Sequence, residues 1–301
     1  MNTTHQGKSQ VPGYYRRQIG GVLVTALYDG YINLAPSLFH GLEADAIQNL
    51  IEAEFQEQTP EGVPTAVTTY LIDNGKDVVL LNAGGSNSPA ATMGKIMESL
   101  KASGYSPDDI TAVLLTHMHF DHVCGLVKPD GSAAFPNATL YVSKPESDFW
   151  LDMKVARAAP EGMRAFFDMA VGSVAPYKNK DALSIFTESE VLPGIQALPT
   201  PGHTPGHTSF LVSSKGDNLL FWGDIVHSHA LQFLHPEISN DFDSDQAQAV
   251  ATRKHLFERV VREGWLVAGD HHPFPGFGHL RKEDRGYAWV PVEYAQIAAI
   301  R

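Results

Sequence analysis

Cysteine is almost missing from this chain: Cys124 is the only one among 301 residues. An intramolecular disulfide is therefore excluded, and so is any zinc site built from several thiolates, which suits a reducing compartment without proving one. Long apolar runs are missing too, since nothing approaches the roughly 18 consecutive apolar residues of a membrane helix. The N-terminal stretch MNTTHQGKSQVPGYYRRQ is polar with no apolar core, so the chain reads as soluble and cytoplasmic as written. A mature exported protein whose leader has been removed would look the same. Basic charge is scarce, with 22 Lys and Arg against 34 Asp and Glu and a net charge of −12. The one basic cluster is the pair Arg16 and Arg17, so neither nucleic acid nor a membrane surface is an expected partner. There is no Pro/Gly/Ser-rich linker, low-complexity tract or short-period repeat. With 43% apolar residues the chain can bury one large core, and we read residues 1–301 as a single domain with extensions over about 1–18 and about 273–301.

What the chain does have is β-rich sequence interleaved with amphipathic helices. Residues 22–28 read as a strand, and Ile47, Leu50, Ile51 and Phe55 sit at helical spacing within 44–55. TAVTTYLID and KDVVLLNAG flank Asn74-Gly75, which predicts a hairpin with a two-residue turn. Met93, Ile96, Met97 and Leu100 predict a helix ending at Gly104. Strands are predicted at 111–116, 138–143, 195–200, 208–214, 218–223 and, last, 265–269, with helical stretches near 145–151 and 161–171. Asp243, with Gln246 three residues on, predicts the start of a long helix through Val261. Strands grouped as hairpins, rather than in strict βαβ alternation, argue for two stacked sheets with helices outside, a four-layer αββα sandwich of α/β (α+β) class. The metal-ligand types fall in both halves, which suggests two ββα units sharing one site.

Fourteen histidines are about twice the usual share, and they cluster. T-H-M-H-F-D-H (116–122) places His117, His119, Asp121 and His122 at the end of an apolar strand. An extended segment projects alternate residues to one side, so His117, His119 and Asp121 can converge, and a turn after Asp121 can carry His122 towards a second ion. Imidazole and carboxylate are suitable ligands for zinc and related divalent ions. Three more segments put a ligand type directly after an apolar strand: His203 after IQALPT, Asp224 after LLFWG and His271 after WLVAG. Each alone reads as readily as a cap or a satisfied polar group. Together they make seven ligands, enough for two ions that share one carboxylate.

Order and spacing of these segments resemble the metallo-β-lactamase superfamily, and within it the methyl parathion hydrolase and lactonase branch. The resemblance is carried by GYYR, THMHFDHVCGL, ESDFWL, PGHTPGHT, WGDIV and FPGFGHLR with the GY..VPV tail. It implies that His117, His119 and His203 hold one ion and Asp121, His122 and His271 the other, with Asp224 bridging. The two divalent ions would be zinc, with manganese, cobalt or iron also suitable. The resemblance also implies a homodimer. His207 and His272 lie beside ligands, where hydrogen bonding to the ligand set or simple packing is expected. One departure stands out: relatives carry Asp-Thr-Gly at the end of the hairpin strand, the Asp orienting a ligand histidine, whereas here the run is Asn82-Ala83-Gly84. Asn82 can accept a hydrogen bond from an imidazole N–H but brings no charge to raise its basicity.

Two divalent ions about 3.5–4 Å apart would hold a water between them and lower its pKa from 15.7 towards roughly 7, making hydroxide the nucleophile. Asp121 and Asp224 would be the carboxylates at that centre, and no serine or cysteine nucleophile is required. Cys124 reads as packing. The resemblance places Phe149, Trp150, His227 and Phe242 around the substrate. An aromatic wall suits a small uncharged lactone, aryl ester or phosphotriester, and His227 could contact or protonate a leaving group. The expected activity is that of a lactonase or arylesterase with organophosphate triesterase activity at the side. The alternatives are a thioesterase like glyoxalase II, which would want cationic anchors not found here, or a metal-bound ligand sensor without turnover.

Overall fold

In the computed structural model, residues 11, 13–86, 88, 90–295 and 297 are described, and the polar segment 1–10 lies outside them. The strands are β1 (Tyr14–Ile19), β2 (Val22–Leu34), β3 (Phe39–His40), β4 (Val63–Asp73), β5 (Val78–Leu81), β6 (Ala112–Leu114), β7 (Thr139–Ser143), β8 (Leu183–Phe186), β9 (Glu190–Leu192), β10 (Ile195–Pro199), β11 (Thr208–Ser214), β12 (Asp217–Phe221), β13 (Ser239–Asn240), β14 (Leu266–Ala268), β15 (Phe277–Lys282) and β16 (Tyr287–Pro291). The helices are α1 (Ala44–Ala53), α2 (Ile96–Ala102), α3 (Phe120–Val123), α4 (Lys144–Trp150), α5 (Met153–Ala158), α6 (Glu161–Lys178), α7 (His229–Gln232) and α8 (Gln246–Glu263). One sheet runs β1-β2-β4-β5-β6-β7-β8 and the other β16-β15-β14-β12-β11-β10-β9, so the first half of the chain builds one sheet and the second half the other.

Period-two alternation decides which face of each strand does what. In β4, Tyr70 and Ile72 point between the sheets and meet Phe210, Val212, Phe221 and Phe277, while Leu71 points outward. Leu71, Leu80, Val113 and Leu140 form that outer face and are covered by α2, α4 and α6 through Ile96, Leu100, Trp150, Phe167 and Val174. On the far side α8 lays Leu256, Phe257 and Val260 over Leu220 and Val267. The layers are helix, sheet, sheet, helix, as the sequence predicted. Each fully buried Leu or Phe contributes about 1.5–3 kcal/mol. No helix among the described residues is long and apolar enough to cross a membrane.

Several boundaries differ from the sequence reading. The hairpin β4–β5 pairs Asp73 with Val78, so its connection is four residues, Asn74–Asp77, not two. Asn74 Oδ1 accepts from the backbone N–H groups of Lys76 (2.9 Å) and Asp77 (2.8 Å), and this side-chain turn outcompetes the tighter Asn-Gly turn. The long helix starts at Gln246, capped by Asp245, whose carboxylate accepts from Gln248 N, rather than at Asp243. Residues 265–269 do not hold the last strand, because β15 and β16 follow and extend the second sheet. Their sequence, FGHLRK and YAWVP around a charged turn, belongs to an edge hairpin exposed on one side, where polar residues mask the alternation. β2 runs six residues beyond its predicted end, through a register shift between Tyr28 and Gly30. At Gly30 (φ +138°) a Cβ would stand 2.1 Å from the Thr92 carbonyl oxygen, so only glycine fits.

Candidate metal centre

The seven candidate ligands lie just beyond the ends of strands. His117 and His119 follow β6, His203 follows β10, Asp224 follows β12 and His271 follows β14. Parallel pairing of β5 with β6 and of β12 with β14 brings those ends to the same edge of the sandwich. The first motif bends two residues earlier than predicted, after His119 rather than after Asp121. His119 is still extended, and Phe120 opens the one-turn helix α3, which carries both Asp121 and His122 towards the second group.

The donor atoms of His117, His119, His203 and Asp224 lie within 4.8 Å of one another, and those of Asp121, His122, Asp224 and His271 do likewise. Asp224 belongs to both groups. Its Oδ2 lies 3.5 Å from His117 Nε2, 3.3 Å from His203 Nε2 and 3.1 Å from His271 Nε2, and its Oδ1 lies 3.3 Å from His122 Nε2. Asp121 Oδ2 faces His122 Nε2 at 3.4 Å and His271 Nε2 at 3.5 Å. The set fits divalent metal: His203 Nε2 in the first group, His122 Nε2 in the second and Asp224 Oδ1 of the shared carboxylate are buried and lack a well-directed hydrogen bond. Nitrogen and carboxylate donors of this kind suit zinc and its neighbours.

The outer nitrogens of four of the five imidazoles are engaged, which fixes ring orientation. His117 Nδ1 meets Thr116 Oγ1 (3.0 Å), His203 Nδ1 meets Asp243 (3.0 Å) and His271 Nδ1 donates to the Ala66 carbonyl (2.9 Å). His122 Nδ1 faces Asp270 Oδ2 at 3.4 Å. Asp243, expected to start a helix, holds a candidate ligand instead.

Charge is unevenly spread over the cluster. Burial pushes the Asp121 carboxyl up, but His122 and His271 outweigh this and bring it to about 2. Burial pushes His203 and His271 down, and the carboxylates Asp224 and Asp243 for the first, Asp224 and Asp121 for the second, more than reverse it, to about 9. For His117 and His119 burial prevails and neighbouring imidazoles add to it, so both sit well below the usual range. Cys124 is a buried thiol pushed up to about 11 by burial, in keeping with packing.

Asn82 does not touch an imidazole. Its Oδ1 accepts from Thr116 N (2.9 Å) and its Nδ2 donates to Thr116 Oγ1 (3.0 Å) and Asp270 Oδ2 (2.7 Å). The carboxylate facing a ligand-type imidazole comes from Asp270, which the sequence reading passed over although it adjoins His271. His207 supports the backbone of Asp224: its Nδ1 donates to the Thr200 carbonyl (3.1 Å) and its Nε2 accepts from Asp224 N (3.1 Å). His272 is packing, its ring against both Phe233 and Trp289 with ring planes 14° and 15° apart.

A cavity of about 300 Å³ opens over the cluster. Ile32, Leu34, Phe120, Trp150, Met163, Phe166 and Phe242 wall it, and His227 lines it beside Asp224. Of the four residues expected around the substrate, Trp150, His227 and Phe242 are there and Phe149 is not. Consecutive helical residues point about 100° apart, so when Trp150 of α4 faces the cavity, Phe149 turns away onto Phe167. His227 Nδ1 accepts from the Asn240 amide (3.3 Å), which leaves the proton on Nε2, 3.2 Å from Asp224 Oδ2. Burial lowers His227 to about 4, so the ring is neutral at pH 7.

Two facing sheets with a doubled His/Asp cluster at one edge define a class of metal-dependent enzymes. A model of the metallo-β-lactamase superfamily matches residues 62–258, and the chain belongs to that superfamily of hydrolases. An N-acyl homoserine lactonase from a Bacillus species is 28% identical over 202 residues, covering 65% of this chain and 66% of the lactonase. The alignment thus spans just under two thirds of that relative. Among solved structures, the hydrolase AbOPH of the β-lactamase superfamily has a TM-score of 0.91 and 38% identity, covering 96% of this chain and all of that one. AidC, a dizinc quorum-quenching lactonase in complex with the product N-hexanoyl-L-homoserine, has a TM-score of 0.84 and 25% identity, with 96% and 100% covered.

Proposed function

We propose that this hydrolase is a two-metal lactonase acting on small, uncharged lactones and aryl esters. The observation that carries the reading is the cavity: an apolar, aromatic wall stands directly over the paired His/Asp cluster, and among the described residues no Lys or Arg lines it. Such a wall takes an acyl or aryl group and gives an anionic thioester no counter-charge. A lactonase relative and a dizinc lactonase neighbour support the same reading.

His117, His119 and His203 would hold one ion, Asp121, His122 and His271 the other, and Asp224 both. Ions bound there supply Lewis acidity and make water acidic enough to act as a nucleophile near neutral pH. The chain's own groups do the rest. Asp243, Thr116, Asp270 and the Ala66 carbonyl hold the imidazoles in register. Trp150, Phe166 and Phe242 exclude bulk water and grip the apolar part of the substrate. His227, its Nδ1 held by the Asn240 amide, keeps its proton on Nε2 beside Asp224 Oδ2, and this neutral N–H would turn from the carboxylate to the ester oxygen when substrate enters. A neutral phosphotriester would meet the same wall, so slow triesterase activity goes with this reading.

The test is hydrolysis of an aryl lactone, an acyl-homoserine lactone, a phenyl ester, a dialkyl aryl phosphate and a glutathione thioester by zinc-loaded and chelated protein. Turnover that is fastest on the lactones and lost on chelation is expected. Preference for the thioester, or no turnover with two ions bound, would overturn the proposal.

A further inference from the structure

Glu146 is a buried carboxylate with no cation against it, only 1% exposed, and none of the chemistry above uses it. It sits on the first turns of α4, the helix that also presents Trp150 to the cavity. Its three hydrogen bonds reach two loops from opposite halves of the chain. Oε1 accepts from the backbone N–H of Met118 (2.8 Å), the residue between His117 and His119. Oε2 accepts from Thr204 Oγ1 (2.7 Å), next to His203, and from the backbone N–H of Gly206 (3.0 Å), next to His207. The contact is tight, because a Cβ on Gly206 would stand 2.0 Å from the Glu146 backbone nitrogen. Ser143 Oγ adds a bond to the Gly206 carbonyl at 2.8 Å from the residue preceding α4.

We infer that Glu146 is a positioning residue that clasps the His117–His119 loop to the His203–His207 loop, and so sets the spacing of the three imidazoles of one metal position. This rests on the reading that those imidazoles hold an ion. Both oxygens must accept, because Met118 N–H and Gly206 N–H are obligate donors on opposite oxygens. A carboxylate meets that demand. A glutamine of the same shape cannot, since its NH₂ must face one of the two N–H groups. Packing alone would tolerate glutamine, whereas a clasp would not.

The experiment measures zinc binding of Glu146→Gln and Thr204→Val by competition with a chromophoric chelator, together with the visible spectra of the cobalt-substituted proteins and thermal midpoints. Tyr105→Phe, which deletes a 2.7 Å hydrogen bond to Asp73 away from the cluster, serves as a purely structural control. Groups that hold ligands from behind typically contribute 10–100-fold to metal affinity. Glu146→Gln should therefore weaken one of the two zinc equivalents by that factor and alter the cobalt spectrum, while the other equivalent changes less. Thr204→Val, which loses a single donor and disturbs folding least, should show a smaller loss at the same equivalent. If both variants bind two zinc ions as tightly as the parent, with unchanged cobalt spectra and only a lowered midpoint like Tyr105→Phe, the clasp is refuted. A parent protein that binds no zinc would refute the metal reading instead, so the two failures are distinguishable.

Discussion

Arg253 offers the sharpest test of how the second half of the site is held. Its guanidinium, on α8, is 1% exposed and forms no ion pair. It donates instead to three carbonyls: Ile225 (2.6 Å), beside Asp224, and Pro236 (3.0 Å) and Ile238 (2.6 Å), which lead to Asn240 behind His227. Burial lowers it only to about 10, so it is charged at pH 7. Arg253→Met keeps most of the volume and strands two carbonyls. The third, Ile238, retains a donor in Gln232 Nε2 at 3.1 Å. At about 1–3 kcal/mol for each stranded group the loss is about 2–6 kcal/mol. Relief from burying a charge offsets part of this, leaving about 3 kcal/mol. For a chain of 301 residues that corresponds to about 5 °C in midpoint. Calorimetry of the zinc-loaded protein should show the drop, with Arg253→Lys intermediate because an ammonium cannot span carbonyls on both sides. Lactone hydrolysis by the Met variant should fall as well, since the Ile225 and Ile238 carbonyls anchor the segments holding Asp224 and His227. A Met variant as stable and active as the parent would refute the reasoning.

Three further outcomes are expected. His227→Leu should lower lactone kcat/KM at least 10-fold, as measured by initial rates, because it removes the neutral donor that lines the cavity, and should lower the midpoint slightly because the buried Asn240 amide loses its acceptor. Metal-free protein should lose stability as pH rises from about 6.5 to 9. His203 and His271, raised to about 9 in the fold, bind a proton more tightly folded than unfolded, so their contribution is full below 6.5 and gone above 9. Zinc-loaded protein, whose ligand rings are neutral throughout, should lack this slope, and a melting series at fixed ionic strength distinguishes the two. Asn82→Asp should approach parental stability near pH 5 and fall increasingly short of it towards pH 8. Its carboxyl would lie against Asp270, 2.7 Å from the present Nδ2, and one of the two must stay protonated. Equal melting curves at both pH values would rule this out.

Much of the fold and cluster was legible because it rests on short-range regularities. Alternation in β4 and helical spacing in α8 report burial directly, and T-H-M-H-F-D-H concentrates its donors within a single turn of chain. What was not legible depends on partners distant in sequence. Nothing local marks Asp243 as the partner of His203 rather than a helix cap, since Asp245 offers the same cap two residues on. Glu146 lay within ESDFWL, but its three donors come from residues 118, 204 and 206. Phe149 and Trp150 are equally aromatic, and only the phase of α4 buries Trp150 at the floor of the cavity and leaves Phe149 partly buried on its flank.

The departure at Asn82 is explained by the same long-range logic. A carboxylate facing the outer nitrogen of His122 raises its basicity, and Asp270 supplies that carboxylate from beyond β14 of the second sheet. Asn82, at the end of β5 in the first sheet, contributes what a second carboxylate could not: an N–H towards Asp270 together with a carbonyl oxygen towards Thr116 N. Thr116 then reaches His117. One uncharged amide thus steadies His117 of one donor group and, through Asp270, His122 of the other, and the carboxylate facing His122 comes from the opposite half. Glu146 bridges the halves in the other direction, from the first half onto the loop of His203. His122 and His271 are each oriented by a group from the opposite half, Asp270 and the Ala66 carbonyl, so these two ligand-type imidazoles take up their positions only where the edges of the two sheets meet.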